Sequence, residues 1–319
     1  MDRLSGDLDH EDEGERFDEA PAIPLKNDIE DLLCNSQQRL AVPQKLFNLN
    51  ELDVLYDADR CALWTFMHPS GRPTFTPSIL SDFEQWQDLI GGHFGPERIP
   101  LRYLILGSRA PGVFCFGGDL KLFHALILNR DRDGLVAYGR RCVKILDRNF
   151  NALELPILTV GLVQGQALGG GFEALLSFDF IVAEKSATFG LPEITFGLFP
   201  GMGAHPILSR KLGTAMADRL ILANETFSAE QMYDMGIVHR LAEPGEGIAA
   251  MRDFMTKSDR RHSGLVNGRK AMRLSAPIRM DEYFGIVDLW ADAALQLREQ
   301  DLKLMNRLAN AQERLVLAS

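Results

Sequence analysis

Cysteine is scarce. Cys34, Cys61, Cys115 and Cys142 are spread over 319 residues without a CxxC pair, which excludes a disulfide framework and a cysteine zinc site. They read as reduced thiols, and a cytoplasmic location is expected. No apolar run approaches the roughly 18 residues of a membrane helix, and the N-terminus has neither the basic nor the apolar part of a secretory signal. Basic tracts are also missing. With a net charge of −10, the chain is a poor nucleic-acid binder. No GK[ST] follows the chain's glycine run, the run does not have GxGxxG spacing, and no GxSxG elbow occurs. Phosphate-loop, dinucleotide and serine-esterase chemistry therefore lack their motifs. No His, Asp or Glu cluster has metal-ligand spacing, so neither a metal nor a cofactor is expected.

What is present is the composition of a globular enzyme, 46% hydrophobic and 24% charged. Most of the negative charge lies at the start, where residues 1–20 hold nine acids against Arg3 and Arg16. Residues 1–27 are expected to be a disordered acidic tail. Residues 28–46 are expected to form a linker with a short helix, its apolar positions at Ile29, Leu32, Leu33 and Leu40. A core follows over 47–275 and a helical region over 276–319.

Within the core, Leu52–Tyr56 and Cys61–Met67 suggest a strand pair. Leu80, Phe83, Trp86 and Ile90 have helical spacing, with Ser78 or Ser81 as the cap. "LRYLILGS" and "PILTVGLV" read as buried strands and "FIVAEKSATFGL" as two short ones. "GLVAYGRRCVKILDRNFNAL" and "PILSRKLGTAMADRLILAN" each read as one helix. Strands alternating with helices imply an α/β fold with covered sheet faces. The last segment, from Met280, is too long for an average helix and is expected to break near Gly285. It would pack on its own core or on a neighbouring subunit.

Three glycine-rich stretches stand out. In "ALGGGFE", Gly169, Gly170 and Gly171 follow a strand and precede Glu173. In "FCFGGDLKLF", Gly117 and Gly118 occupy a similar strand-to-helix position. In "FGLPEITFGLFPGMG", Glu193 follows a proline within a loop. Each glycine pair by itself is compatible with a plain tight turn. Together, two such turns can supply two backbone N–H groups to one oxygen, the requirement of an oxyanion hole.

In order and spacing, these three motifs resemble those of the crotonase superfamily, the enoyl-CoA hydratases and isomerases, over roughly residues 50–275. The resemblance implies a spiral of ββα units ending in a helical C-terminal region. It also implies oxyanion donors at Phe116 and Gly170 and catalytic acids at Glu173 and Glu193. The chain departs from ordinary hydratases at "PGMGAHPIL", at Phe116 and at "HPSGRPTFTPSILSDFEQW". These departures and the long tail look like the synthases of diffusible signal factors. That subgroup implies dehydration of a 3-hydroxyacyl chain on acyl carrier protein to the cis-2-enoyl thioester. Hydrolysis would then release a cis-2-unsaturated fatty acid for cell–cell signalling.

In this reading Glu193 takes the C2 proton and Glu173 protonates the leaving hydroxyl, although the residues alone leave the reverse open. Leu168, Met202, Trp290, Leu304 and Leu308 are the implied acyl contacts; ordinary core packing is the alternative for each. Arg140, Arg141, Lys144 and Arg148 form either a carrier-docking patch or a solvated helix face. His205, beside the glycine loop, reads more simply as a cap or a surface residue. The resemblance also implies a homotrimer or hexamer and allows a sensor kinase as partner, so a partner-binding regulator is one alternative function. A conventional enoyl-CoA hydratase or isomerase, acting on acyl-CoA, is the other.

Overall fold

A computed structural model describes residues 42–317, with side chains through 312. The expected acidic tail, and residues 28–41 of the linker and short helix expected over 28–46, lie outside the described residues. Val42 and Leu46 are already buried in the main core, so packed chain begins upstream of residue 47.

The elements run β1 (Leu52–Asp57), β2 (Ala62–Met67), α1 (Pro77–His93), β3 (Tyr103–Ser108), β4 (Val113–Cys115), α2 (Leu120–Leu128) and α3 (Arg132–Phe150). Next come β5 (Leu158–Val163), β6 (Gln166–Leu168), α4 (Gly170–Leu176), β7 (Phe180–Glu184) and β8 (Thr188–Gly190). The chain continues through α5 (Ala204–Leu212), α6 (Thr214–Leu222), β9 (Thr226–Ser228), α7 (Ala229–Asp234) and β10 (Arg240–Ala242). It ends with α8 (Gly247–Ser258), α9 (His262–Ser275), α10 (Met280–Ala294) and α11 (Glu299–Leu317).

The strands form two sheets, ordered β1-β2-β3-β5-β7-β10 and β4-β6-β8-β9. β3, β5 and β7 each add a strand to the first sheet, and β4, β6 and β8, which follow them, each add one to the second. These neighbours pair in parallel. The chain therefore advances as a spiral of ββα turns, the crotonase fold expected from the motifs. Only β1–β2 and β8–β9 pair antiparallel.

Side-chain alternation along the first sheet explains its coverage. Trp64, Phe66, Tyr103 and Ile105 face a smaller core completed by Met251 and Met255 of α8 and Val266 of α9. Leu63, Met67, Leu104 and Leu106 face the main core. Across that side, Trp86 of α1 donates its indole N–H to Thr65 Oγ1 at 3.0 Å.

Three local expectations need correction. The α1 cap is Thr76, whose Oγ1 accepts from Ile79 N at 3.3 Å, with Pro77 preset for the first turn. Neither Ser78 nor Ser81 caps it. The helix expected over 206–224 is two helices, because Gly213 adopts φ +79 between α5 and α6. The tail does not break at Gly285, which sits inside α10. It turns between Ala294 and Glu299, where Asp301 accepts from the Arg298 backbone and guanidinium. α10 and α11 pack on their own chain, bringing Tyr283, Val287, Trp290 and Met305 into the main core. No helix among the described residues is long and apolar enough to cross a membrane.

Candidate active site

The three glycine-rich stretches converge on one chamber with about 210 Å³ of free space. β6 delivers Gly169 and α4, β4 delivers Phe116 and Gly118, and the single-turn helix Pro192–Phe196 after β8 delivers Glu193. Close backbone approach makes the glycines necessary. Gly169 has φ +52, and a Cβ there would lie 2.7 Å from Glu193 Oε1. A Cβ on Gly171 would lie 2.3 Å from the Cys115 carbonyl oxygen. The first glycine thus leaves room for the acid and the second lets α4 sit against β4.

Glu173 is buried at 2% exposure. Its Oε1 accepts from Met202 N at 2.9 Å and Ala204 N at 3.0 Å. Glu193 Oε2 is buried and meets no hydrogen-bond partner among the described residues. Burial raises both carboxyls above the ordinary glutamate range, and the two N–H donors pull Glu173 partway back. For Glu193 burial is the larger cause, and the charge of Glu173 raises it further. The two backbone donors favour the ionised form of Glu173, whereas Glu193, with one oxygen unpartnered, more readily keeps a proton.

The expected oxyanion pair changes by one member. The Phe116 N–H donates to the Pro73 carbonyl at 2.8 Å and is unavailable to a ligand, although the Phe116 side chain does line the chamber. Gly118 takes its place geometrically. Its nitrogen lies 3.4 Å from where a Gly170 Cβ would stand. Among the described residues neither the Gly118 nor the Gly170 N–H has a backbone acceptor. The sequence reading missed this because Pro73, which pairs with Phe116, lies in a distant loop.

Four of the five expected acyl contacts, Leu168, Met202, Trp290 and Leu308, line the chamber. Leu304 does not. It lies one turn before Leu308, about 6 Å along the helix, and packs half-buried on the main core. The α11 wall continues instead to Ala311 and Gln312, and Gln312 Oε1 is buried without a partner among the described residues. The i, i+3, i+4 spacing from Leu308 was the available signal for both. Trp290 packs edge-on to Phe123, ring centroids 5.0 Å apart. It also lies against Gly201, where a Cβ would come within 2.5 Å of the indole.

The basic face of α3 is mostly paired. Arg140 meets Asp288, Arg141 meets Glu84 and Arg148 meets Asp88, while Lys144 is exposed. His205 is half-buried, its Nδ1 3.2 Å from the Pro200 carbonyl, and burial lowers its pKa.

Residues 99–257 match the family model described as Enoyl-CoA hydratase/isomerase. Mouse Enoyl-CoA hydratase domain-containing protein 2, mitochondrial, is 36% identical over 151 residues, 47% of this chain and 49% of that protein. Methylglutaconyl-CoA hydratase 1, mitochondrial, of Pyricularia oryzae is 30% identical over 237 residues, 72% of this chain and 65% of that protein. The chain thus spans about half the length of the mouse relative. Among solved structures, Bacillus halodurans enoyl-CoA hydratase superposes with a TM-score of 0.67 at 17% identity, covering 81% of this chain and 100% of that one. Pseudomonas aeruginosa DspI superposes with a TM-score of 0.60 at 23% identity, covering 71% and 80%. At such identities these two neighbours speak to the fold. Residues 99–257 thus match the enoyl-CoA hydratase/isomerase family model, and the ββα spiral is the fold of these solved structures.

Proposed function

We propose that the protein moves water across the C2–C3 bond of an acyl thioester, with Glu173 and Glu193 as its catalytic acid–base pair. The observation that carries this is one chamber holding two buried carboxyls with different hydrogen-bond environments, beside the Gly118 and Gly170 N–H groups. The N–H pair would hold the thioester oxygen and stabilise the enolate formed at C2; one such donor is typically worth about 3 kcal/mol in the transition state. In water addition, ionised Glu173 takes a proton from water as the oxygen bonds to C3, and Glu193 gives its proton to C2. In water removal, Glu193 takes the C2 proton, the C2=C3 bond forms, and the hydroxyl leaves C3 as water with a proton from Glu173. The resting proton on Glu193 suits addition; removal begins from the arrangement with the proton on Glu173.

The finer reading is that of a diffusible signal factor synthase. It would dehydrate a 3-hydroxyacyl-acyl carrier protein to the cis-2-enoyl thioester. Water would then attack C1 as the C1–S bond breaks, the thiol taking a proton and the cis-2-unsaturated acid leaving. Support comes from the wall of Leu168, Met202, Trp290 and Leu308, contributed in part by the tail helices that set this chain's sequence apart from ordinary hydratases. A cytoplasmic site, a trimeric or hexameric assembly and a sensor-kinase partner belong to the same proposal. The alternative, a conventional hydratase acting on acyl-CoA, is favoured by the resting proton position. Purified protein incubated with 3-hydroxyacyl-carrier protein, and separately with enoyl-CoA, separates them. Free thiol together with free cis-2-enoic acid supports the synthase; reversible water addition without thiol release supports the hydratase.

A further inference from the structure

A second cavity, with about 60 Å³ of free space, lies between α1, α3 and α4. It shares Gly170 and Met202 with the chamber as wall residues. Its walls are almost wholly apolar, with Leu80, Phe83, Trp86, Ile145 and Phe178 among them.

Two polar groups interrupt that lining. Gln87 of α1 is 1% exposed and Asn149 of α3 is 5% exposed. Gln87 Oε1 and Asn149 Oδ1 are both buried without a hydrogen-bond partner among the described residues. Their orientations are fixed by their other ends. The Gln87 amide nitrogen donates to the Ile145 carbonyl at 2.8 Å, which only an N–H can do. The Asn149 nitrogen donates at 2.8 Å to Ser177 Oγ, whose own proton goes to the Ala174 carbonyl. Both oxygens are therefore left as acceptors. A buried acceptor without a donor is costly.

We propose that this inner cavity receives the far end of the acyl chain, and that Gln87 and Asn149 select a chain carrying a hydroxyl there. The proposal rests on the thioester reading above and names the substrate class for it: a hydroxyl-bearing acyl chain threaded past Met202. A hydroxyl supplies one O–H donor, enough to pair one of the two oxygens. A carboxylate would be repelled by them, and an ammonium finds no acid in the walls.

Binding tests this without relying on turnover. Saturated free fatty acids of increasing length, each as the unsubstituted, ω-hydroxy and ω-carboxy form, are titrated into the full-length protein by calorimetry. At one chain length the ω-hydroxy acid should bind about tenfold more tightly than the unsubstituted one, and the ω-carboxy acid more weakly than either. Gln87→Leu with Asn149→Leu should abolish the preference while keeping the unsubstituted acid bound. Ala174→Leu, which fills the cavity from α4, should shorten the longest chain accepted while crotonyl thioester is still turned over. Equal binding of hydroxylated and unsubstituted acids at every length, as expected if the two oxygens merely hold a water, overturns the proposal. So does an unchanged length limit in Ala174→Leu. A wild-type protein that binds the hydroxy acids selectively but turns over no thioester instead overturns the proposed reaction and leaves the cavity assignment standing.

Discussion

Glu193, the proposed catalytic acid, works against the fold that holds it. Its raised pKa means the native state keeps a proton that the unfolded chain releases between the ordinary glutamate pKa and the raised one. Stability is greatest below that window and falls as pH rises through it. Glu193→Gln should therefore raise the melting temperature by a few degrees at neutral and alkaline pH and change it little at acid pH, as calorimetry across pH would show. The same substitution, like Glu173→Gln, should lower kcat/KM by about 10²–10⁴-fold. Both acids were singled out in the sequence through the resemblance of their motifs to the family's, and for Glu193 also because a carboxylate in a proline loop is not needed for folding. The second oxyanion donor was not. The strand-to-helix pattern located the turn, but which N–H points inward depends on Phe116 pairing with Pro73, a contact between segments that the pattern of either one does not contain.

Helix periodicity placed α11 along the chain without fixing where its wall begins. Leu304 and Leu308 share a face, yet only Leu308 reaches the chamber, since the limit is set by how α10 positions the next helix. That placement depends on Trp290 lying against Gly201. Gly201→Val should push Trp290 away from the loop and lower stability by about 1–3 kcal/mol, measured by denaturant unfolding, with KM for a long-chain thioester rising as the wall loosens. The helix breaks show the same contrast. Gly213 ends a helix through its positive φ, whereas Gly285 is tolerated inside α10, where an added methyl group would meet nothing within 4 Å. Sequence shows a glycine in both places, and only the folded backbone separates them.

Across the whole molecule, two sheets and the C-terminal helices enclose the acid pair away from water, and that enclosure should govern the pH profile. Below the pair's pKa values both carboxyls are protonated and no base is left. Above them both are ionised and no acid is left. Because burial raises both, kcat/KM should follow a bell whose acidic limb lies above the ordinary glutamate range, and its limbs belong to the pair rather than to either residue. The spiral itself was readable from alternating strands and helices together with three spaced motifs. The inner cavity was not, since its walls come from helices whose apolar faces look like any core. The central claim is tested most directly by comparing the wild type with Glu173→Gln and Glu193→Gln on matched 3-hydroxyacyl and enoyl thioesters, following the C2=C3 double bond by its ultraviolet absorbance. The account predicts that the wild type interconverts them and that each variant, still folded by calorimetry, loses at least about 10²-fold. Near wild-type turnover in either variant would contradict it.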